Sequence, residues 1–334
     1  MFNLATICPN STDATSFYRG VGPLAELRRK RNDLSLCIFN EVNWATLKLM
    51  DAVFMQRPFT NGHLRLCELI KTNKLPLWID LDDDLFSVPK DNPSFSTYSK
   101  PEIQKNIAQC LAMADVISVS TEHLARRLCE LNKNIVVINN ALDSRIVGKH
   151  HEAAIDRQPL IMWRGSKTHK KDLSTVAESC IKLAEKHPEA TWLFMGDAPW
   201  FADYMPEQKV ICAEALDPIE YWDLLGKTKP SIFIVPLDNS PFNHSKSNIA
   251  WIEASWAGAA TVAPNFGEWK KPGISNYQNQ AEFCAHVSHL LDYPTKRVKF
   301  AHESWEYIAH NLLLDDVNKQ RESILEGLMH GAKT

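Results

Sequence analysis

Short apolar runs rich in β-branched residues alternate with helical patterns along almost the whole chain, and no other property narrows its possible folds as far. After an opening strand within Met1–Pro9 come Ser35–Phe39, Ala52–Pro58, Pro76–Asp82, Val116–Ser120 and Ile135–Asp143, with helical stretches such as Gly62–Asn73, Pro101–Met113 and Glu122–Asn132 between them. Strands this apolar on both faces, joined through helices, predict a parallel sheet covered on its two sides. The polar stretch Ser144–Gln158 breaks the rhythm and reads as a linker. Alternation resumes with Leu160–Gly165, a helix over Asp172–His187, then Thr191–Gly196, Val210–Leu216, Ser231–Leu237 and Ala260–Asn265, and a helix over Gln280–Leu291. The tail, Lys296–His330, has the pattern of two or three amphipathic helices without a strand.

Two α/β sheet domains joined by one linker enclose a cleft at the carboxyl ends of their strands, where ligands bind in such sheets. Polar residues cluster on that side: Asp80–Asp84, Asn139–Asp143, Arg164–Lys171, Gly196–Asp197 and Asp238–Ser247 all follow strands. The 334 residues suffice for two cores, and a formal charge of -3 removes the global basic excess of a protein that coats nucleic acid. The eight cysteines form no CxxC pair and read as small core residues. No apolar run reaches the length of a membrane span, and Met1–Pro9 lacks the pattern of a signal peptide, so a soluble, cytoplasmic protein is expected.

The densest site grammar lies in Pro236–Gly258, where a strand opens into a polar loop and then a nearly all-apolar helix. Asn243, Lys246, Ser247 and Asn248 stand where a helix N-terminus presents unpaired N–H groups, the natural seat of a phosphate. Glu253 shares a stripe with Ile249, Ile252 and Trp256 at helical spacing. A carboxylate there needs donors: ribose hydroxyls are one answer, backbone N–H groups of a neighbouring loop the other.

Taken in order, Trp163-Arg-Gly-Ser-Lys-Thr-His169-Lys-Lys-Asp172, Phe194-Met-Gly196, Pro236-Leu, Phe242-Asn-His-Ser-Lys246-Ser-Asn248 with Glu253, and Gly258 before Ala260-Thr-Val-Ala-Pro264 resemble a GT-B glycosyltransferase. More narrowly they are similar to the retaining glycosyltransferase family 4, and a phage-type member is one form the resemblance allows. Ala114–Thr121 and Val137–Asn140 look like that family's last two Rossmann-type strands. The resemblance implies an N-terminal acceptor domain over residues 1–148, completed by C-terminal helices over 312–334, and a nucleotide-sugar donor domain over 156–311. It implies transfer of a sugar from a nucleotide diphosphate to an acceptor hydroxyl with retention of configuration, and neither metal nor other cofactor beyond that co-substrate. The acceptor is open among a glycan, a lipid, a protein and a modified DNA base. A non-catalytic relative that binds nucleotide sugars or glycans is the alternative.

Arg164 and Lys246 are expected to stabilise the departing diphosphate, with Asp82 or Asp83 facing the transferring sugar or the acceptor hydroxyl. Donor contacts are expected from Arg19 and Gly20 in the first strand-to-helix turn, from Gly165, Ser166, Lys167, His169 and Lys170 after the seventh strand, from Gly196, and from Asn243, Ser247, Asn248 and Glu253. Two positions depart from the family pattern. Ser245 stands where the first glutamate of a Glu-x7-Glu pair belongs, and His169 where the lysine of an Arg-x4-Lys pair belongs. Asp172 reads as a helix N-cap. The basic run Arg28–Arg31 reads as a helix end favourable to the dipole, or as a hold on an anionic acceptor.

Overall fold

The computed structural model describes residues 1–39 and 44–331. Among them, twelve strands form two sheets of six. The first holds β1 (Phe2–Ile7), β2 (Leu34–Phe39), β3 (Ala52–Gln56), β4 (Leu77–Leu81), β5 (Val116–Val119) and β6 (Ile135–Val137), in the order β2-β1-β3-β4-β5-β6. The second holds β7 (Leu160–Arg164), β8 (Thr191–Met195), β9 (Val210–Ala213), β10 (Ile232–Ile234), β11 (Ala260–Pro264) and β12 (Ile274–Tyr277), in the order β12-β11-β10-β7-β8-β9. Every pairing is parallel. The inner strands are buried along their length, as in Ala52–Gln56, Leu77–Leu81 and Ala260–Pro264, because helices cover both faces.

Each apolar run contains its strand except Ser35–Phe39, where β2 starts one residue earlier at Leu34, and the polar residues that trail the runs form the loops at the carboxyl edge. β12 escaped the periodicity because Ile274-Ser-Asn-Tyr277 is short and half polar. The opening loop also differs from expectation. Asp13 caps a helix over Ala14–Arg19 by accepting from the Ser16 amide at 2.7 Å. The chain breaks at Gly20 and resumes as the helix Val21–Lys30, two residues ahead of Pro23. The helix expected over Asp172–His187 is divided into a 3₁₀ turn (Lys167–His169) and helices Lys170–Ser174 and Ala177–Lys186. Asp172 is therefore not the N-cap. Ser166 fills that role toward the Thr168 amide, and Asp172 lies inside the first helical turn with its carboxylate turned to other partners.

The C-terminal helices go to different sheets. Pro294–Asn311 packs on the helix Ile249–Trp256 and on β11, whereas Leu314–Gly331 packs on Val21–Lys30. The crossover is pinned where the Leu142 amide donates to the Leu312 carbonyl and the Leu314 amide to the Leu142 carbonyl, each at 2.8 Å. The basic run serves this packing: Arg29 pairs with Glu26, Lys30 with Asp315, and Arg31 with Asp33, Glu322 and Glu326. Residues 332–334, the end of the expected completing segment, lie outside the described residues. No described helix is long and apolar enough to cross a membrane.

Gly258 joins the helix Ile249–Trp256 to β11 at φ +73°, and a Cβ there would stand 2.3 Å from the His151 carbonyl oxygen of the linker. Left-handed backbone and close approach both demand glycine. Gly258→Ala is expected to cost about 2 kcal/mol or more of stability. Thermal unfolding checks this, and an unchanged melting temperature would mean that the linker yields freely.

Candidate active site

The carboxyl edges of the two sheets face one another across a cavity of about 490 Å³. Strand order reverses once in each sheet, between β1 and β3 and between β7 and β10. At such a switch point the neighbouring loops leave to opposite faces and a crevice opens. Both crevices open into the same cavity: Asp13 and Tyr18 follow β1, Arg57 follows β3, Arg164 ends β7, and Pro236 and Leu237 follow β10.

At the floor sits Glu253, 1% exposed. Arg164 donates to it from Nε at 2.7 Å and from Nη2 at 2.9 Å. Tyr221 donates at 2.9 Å and Tyr18, from the other domain, at 2.8 Å. Burial, and then the adjacent Glu253 carboxylate, push both phenols well above the ordinary tyrosine range, so they remain donors. Burial works to lower the Arg164 pKa, but Glu253 outweighs it and keeps the guanidinium charged. Four donors thus occupy the two carboxylate oxygens. The protein donors that meet the carboxylate are a guanidinium and two phenols, not the backbone amides of a neighbouring loop.

On the first-domain side, Arg57 makes a two-pronged contact with Asp82 and lies 3.6 Å from Asp83. Lys246 reaches across the cleft to Asp83 at 3.0 Å, with its ammonium 4.6 Å from the Phe242 ring centre. Burial works to raise the Asp83 pKa, but Lys246 and Arg57 hold it below the usual carboxylate value. Two further bonds join the domains. Asn140 Nδ2 donates to Ser247 Oγ at 2.8 Å, and Thr121 Oγ1 donates to the Ser245 carbonyl at 3.1 Å. Ser245, where the family pattern has a glutamate, is fully buried.

Beside this layer, His169 Nδ1 lies 2.9 Å from Asp172 Oδ2. The other Asp172 oxygen accepts from the Asp238 amide at 2.9 Å and from Asn243 Nδ2 at 2.7 Å. Asp172 is thus a buried brace that holds both the imidazole and the Asp238–Asn243 loop.

The cavity wall includes Asp82, Asp83, Arg164, Lys246, Gly165, Ser166, His169, Gly196, Ser247 and Glu253. Arg19 also borders it, but its guanidinium is held by Asp80 at 2.9 and 2.7 Å and by the Ile138 carbonyl and Asn140. Gly20, Lys167, Lys170, Asn243 and Asn248 do not line it. Lys167 and Lys170 project into solvent because the 3₁₀ turn points them outward, and Asn243 and Asn248 are buried structural groups. Gly20 and Gly22 serve the chain itself: a Cβ at Gly20 would stand 2.9 Å from Ser16 Oγ, and one at Gly22 would stand 2.1 Å from the Phe17 carbonyl oxygen.

Tyr18, Tyr221, Arg57 and Trp269 are wall residues that sequence reasoning did not select. Arg57 was findable, since it directly follows β3 on the ligand side. Tyr221 lies in the middle of an ordinary amphipathic helix and carries no local signal. Trp269, 2% exposed, has a buried Nε1 with no hydrogen-bond partner among the described residues.

No protein-family model matches the sequence, and no curated protein matches it. Solved structures do. A sucrose-phosphate synthase from Thermosynechococcus elongatus superposes with a TM-score of 0.71 at 12% identity, covering 99% of this chain and 100% of that one. HepE from Anabaena, in complex with UDP-glucose, gives 0.68 at 12% identity over 98% and 100%. A UDP-GlcNAc 2-epimerase from Neisseria meningitidis bound to UDP-GlcNAc gives 0.58 at 12% identity over 98% and 100%.

The Glu253 cluster is expected to support the fold. Glu253→Ala takes the counter-charge from the half-buried Arg164 guanidinium and the acceptor from two buried phenols, and should cost about 3 kcal/mol, whereas Tyr18→Phe removes one bond and should cost about 1–2 kcal/mol. Chemical denaturation of both variants checks the order. A Glu253→Ala protein as stable as the parent would mean that the cluster contributes nothing.

Proposed function

We propose, from the premise that this chain has the GT-B fold, that it is a glycosyltransferase. It moves a sugar from a nucleotide-diphosphate sugar to an acceptor hydroxyl with retention of configuration and without a metal. The observation that carries this reading is the meeting of both switch points in one cavity, so that a donor held by the second domain faces an acceptor held by the first. Glycosyltransferases and an epimerase of nucleotide sugars are among the solved structures with this fold; those of HepE hold UDP or UDP-glucose and that of the epimerase holds UDP-GlcNAc. A nucleotide-diphosphate sugar is therefore the co-substrate class that suits the cleft.

In the step proposed, the bond from the anomeric carbon to the β-phosphate oxygen breaks and its electron pair stays on the diphosphate. The acceptor oxygen bonds to the same carbon on the face the diphosphate leaves, and its proton passes to a diphosphate oxygen. Fixed cations stabilise the charge that develops there, and Lys246 and Arg57 at the domain boundary are placed for it. Retention is supported by the state of the carboxylates. Asp13 and Asp217 cap helices, while Asp82, Asp83 and Glu253 sit in charge-assisted bonds, which leaves none as an unengaged base on the opposite face. Independence of a metal is supported by the same pairing, since Asp82 and Asp83 are turned to Arg57 and Lys246.

The test is a thermal-shift panel of nucleoside diphosphates and their sugar conjugates with and without EDTA, followed by NMR of the products. A selective, EDTA-insensitive stabilisation and a transferred sugar of unchanged anomeric configuration are expected. Conversion of UDP-GlcNAc to its 2-epimer would instead assign the epimerase chemistry. Loss of the shift with EDTA would instead make Asp82 and Asp83 candidate metal ligands, and binding without any turnover would favour the non-catalytic reading. Lys246→Met is expected to lower turnover by about 10²-fold or more, a cleaner probe than Glu253→Ala because Asp83 keeps Arg57 as a counter-charge.

A further inference from the structure

The charges of the cavity wall nearly cancel before any ligand is considered. Arg57 faces Asp82 and Asp83, Lys246 faces Asp83, and Arg164 faces Glu253. Arg19 is neutralised by Asp80 behind the wall. Asp13 and Asp217 add two more carboxylates at the rim. No lining lysine or arginine therefore lacks a carboxylate. A nucleotide-sugar diphosphate is a dianion over the working pH range, and bringing it into a partly buried site without added positive charge is costly.

Among the described wall residues, His169 is the one side chain able to gain a positive charge. Its position suits the task. Asp172 accepts at Oδ2 from Nδ1, so Nδ1 carries the hydrogen and Nε2 is left as the free base. The brace cannot drift, because its second oxygen is held by the Asp238 amide and by Asn243. The charged groups that face the ring come from four elements: Asp172 on its own helix, Arg164 at the end of β7, Lys246 in the loop before the helix Ile249–Trp256, and Asp83 after β4. Burial lowers the His169 pKa; the Asp172 hydrogen bond works against it, and the charges of Lys246 and Arg164 add to it. The net shift is downward, which favours the neutral ring in the free protein.

We propose that His169 takes up a proton from solvent when a nucleotide-sugar diphosphate enters the cleft, and that the resulting imidazolium, held by Asp172, adds one positive charge to those of the arginines and lysine already paired with carboxylates. One N–H bond forms at Nε2 and none breaks in the ligand. The inference rests on the donor reading above. It assigns His169 a role that a fixed lysine at the same place would not have: donor affinity coupled to pH. The sign follows from the charge. Binding is tightest where the ring is already protonated and weakens as pH rises, by up to tenfold per pH unit until the bound-state pKa is passed.

Isothermal titration of the full chain with UDP-glucose, ADP-glucose and GDP-mannose tests this. Their diphosphates are esterified at both ends and do not titrate between about pH 5 and 8, the range in which histidine does. Heats measured in buffers of different ionisation enthalpy count the protons taken up. Uptake approaching one proton per ligand is expected. It should vanish in His169→Asn, which keeps a donor toward Asp172, and in His169→Lys, which should bind with an affinity independent of pH. Binding without uptake, or uptake unchanged in His169→Asn, overturns the inference and leaves the donor reading standing. Failure of all three ligands to bind at any pH overturns both. If His169→Asn does not fold, the ring resonances of the parent protein decide: their titration midpoint must rise when donor binds, and a midpoint that stays put overturns the inference.

Discussion

A single buried carboxylate organises this molecule. Glu253 is the one charged residue of a helix that is otherwise apolar but for Ser255, and whose side chains from Ala250 to Trp256 are all buried. Desolvating a carboxylate there costs several kcal/mol unless strong donors meet it. Those donors come from three separate elements: Arg164 from β7, Tyr221 from the helix Pro218–Thr228, and Tyr18 from the first domain. The need to satisfy one charge therefore fixes the end of a strand, the orientation of a helix and the approach of the two domains.

The same logic extends outward as a layer of paired charges. Arg57, Asp82, Asp83 and Lys246 cross the domain boundary, and Arg19 with Asp80 anchors the first-domain side. Such pairs add little net stability over apolar packing, but they are unforgiving of misplacement, because an uncompensated buried charge costs far more than a lost contact. Groups held in this way need little reorganisation when charge develops beside them, which is how preorganised sites stabilise a leaving anion. A wall whose charges already balance leaves the added charge of a ligand to be met by the one group that can change its own.

The basic run Arg28–Arg31 illustrates how tertiary context reassigns a local signal. In isolation, clustered cations suggest an anionic partner. In the folded chain Arg29 stays with Glu26 of its own helix, while Lys30 pairs with Asp315 and Arg31 with Glu322 and Glu326 of the last helix, so two of the four cations dock the C-terminus onto the first domain. The separation of nearly three hundred residues hides that pairing from any reading of neighbours.

The sequence by itself determined the two parallel sheets and the edge on which the cleft lies, because period, strand length and polar strand ends are local properties that burial on both faces imposes. It also identified Lys246, Asp83, Arg164, His169 and Glu253 as residues of interest, since each follows a strand or interrupts an apolar helix. Only the tertiary structure decided what those residues touch. Tyr18 and Tyr221 meet Glu253 from opposite domains, Arg57 takes the aspartate run, and Asp172 braces His169 and Asn243 instead of capping a helix. The reason is physical: a hydrogen bond depends on where donor and acceptor lie in space, and most of these pairs are brought together by strand order and domain packing, which no local period encodes.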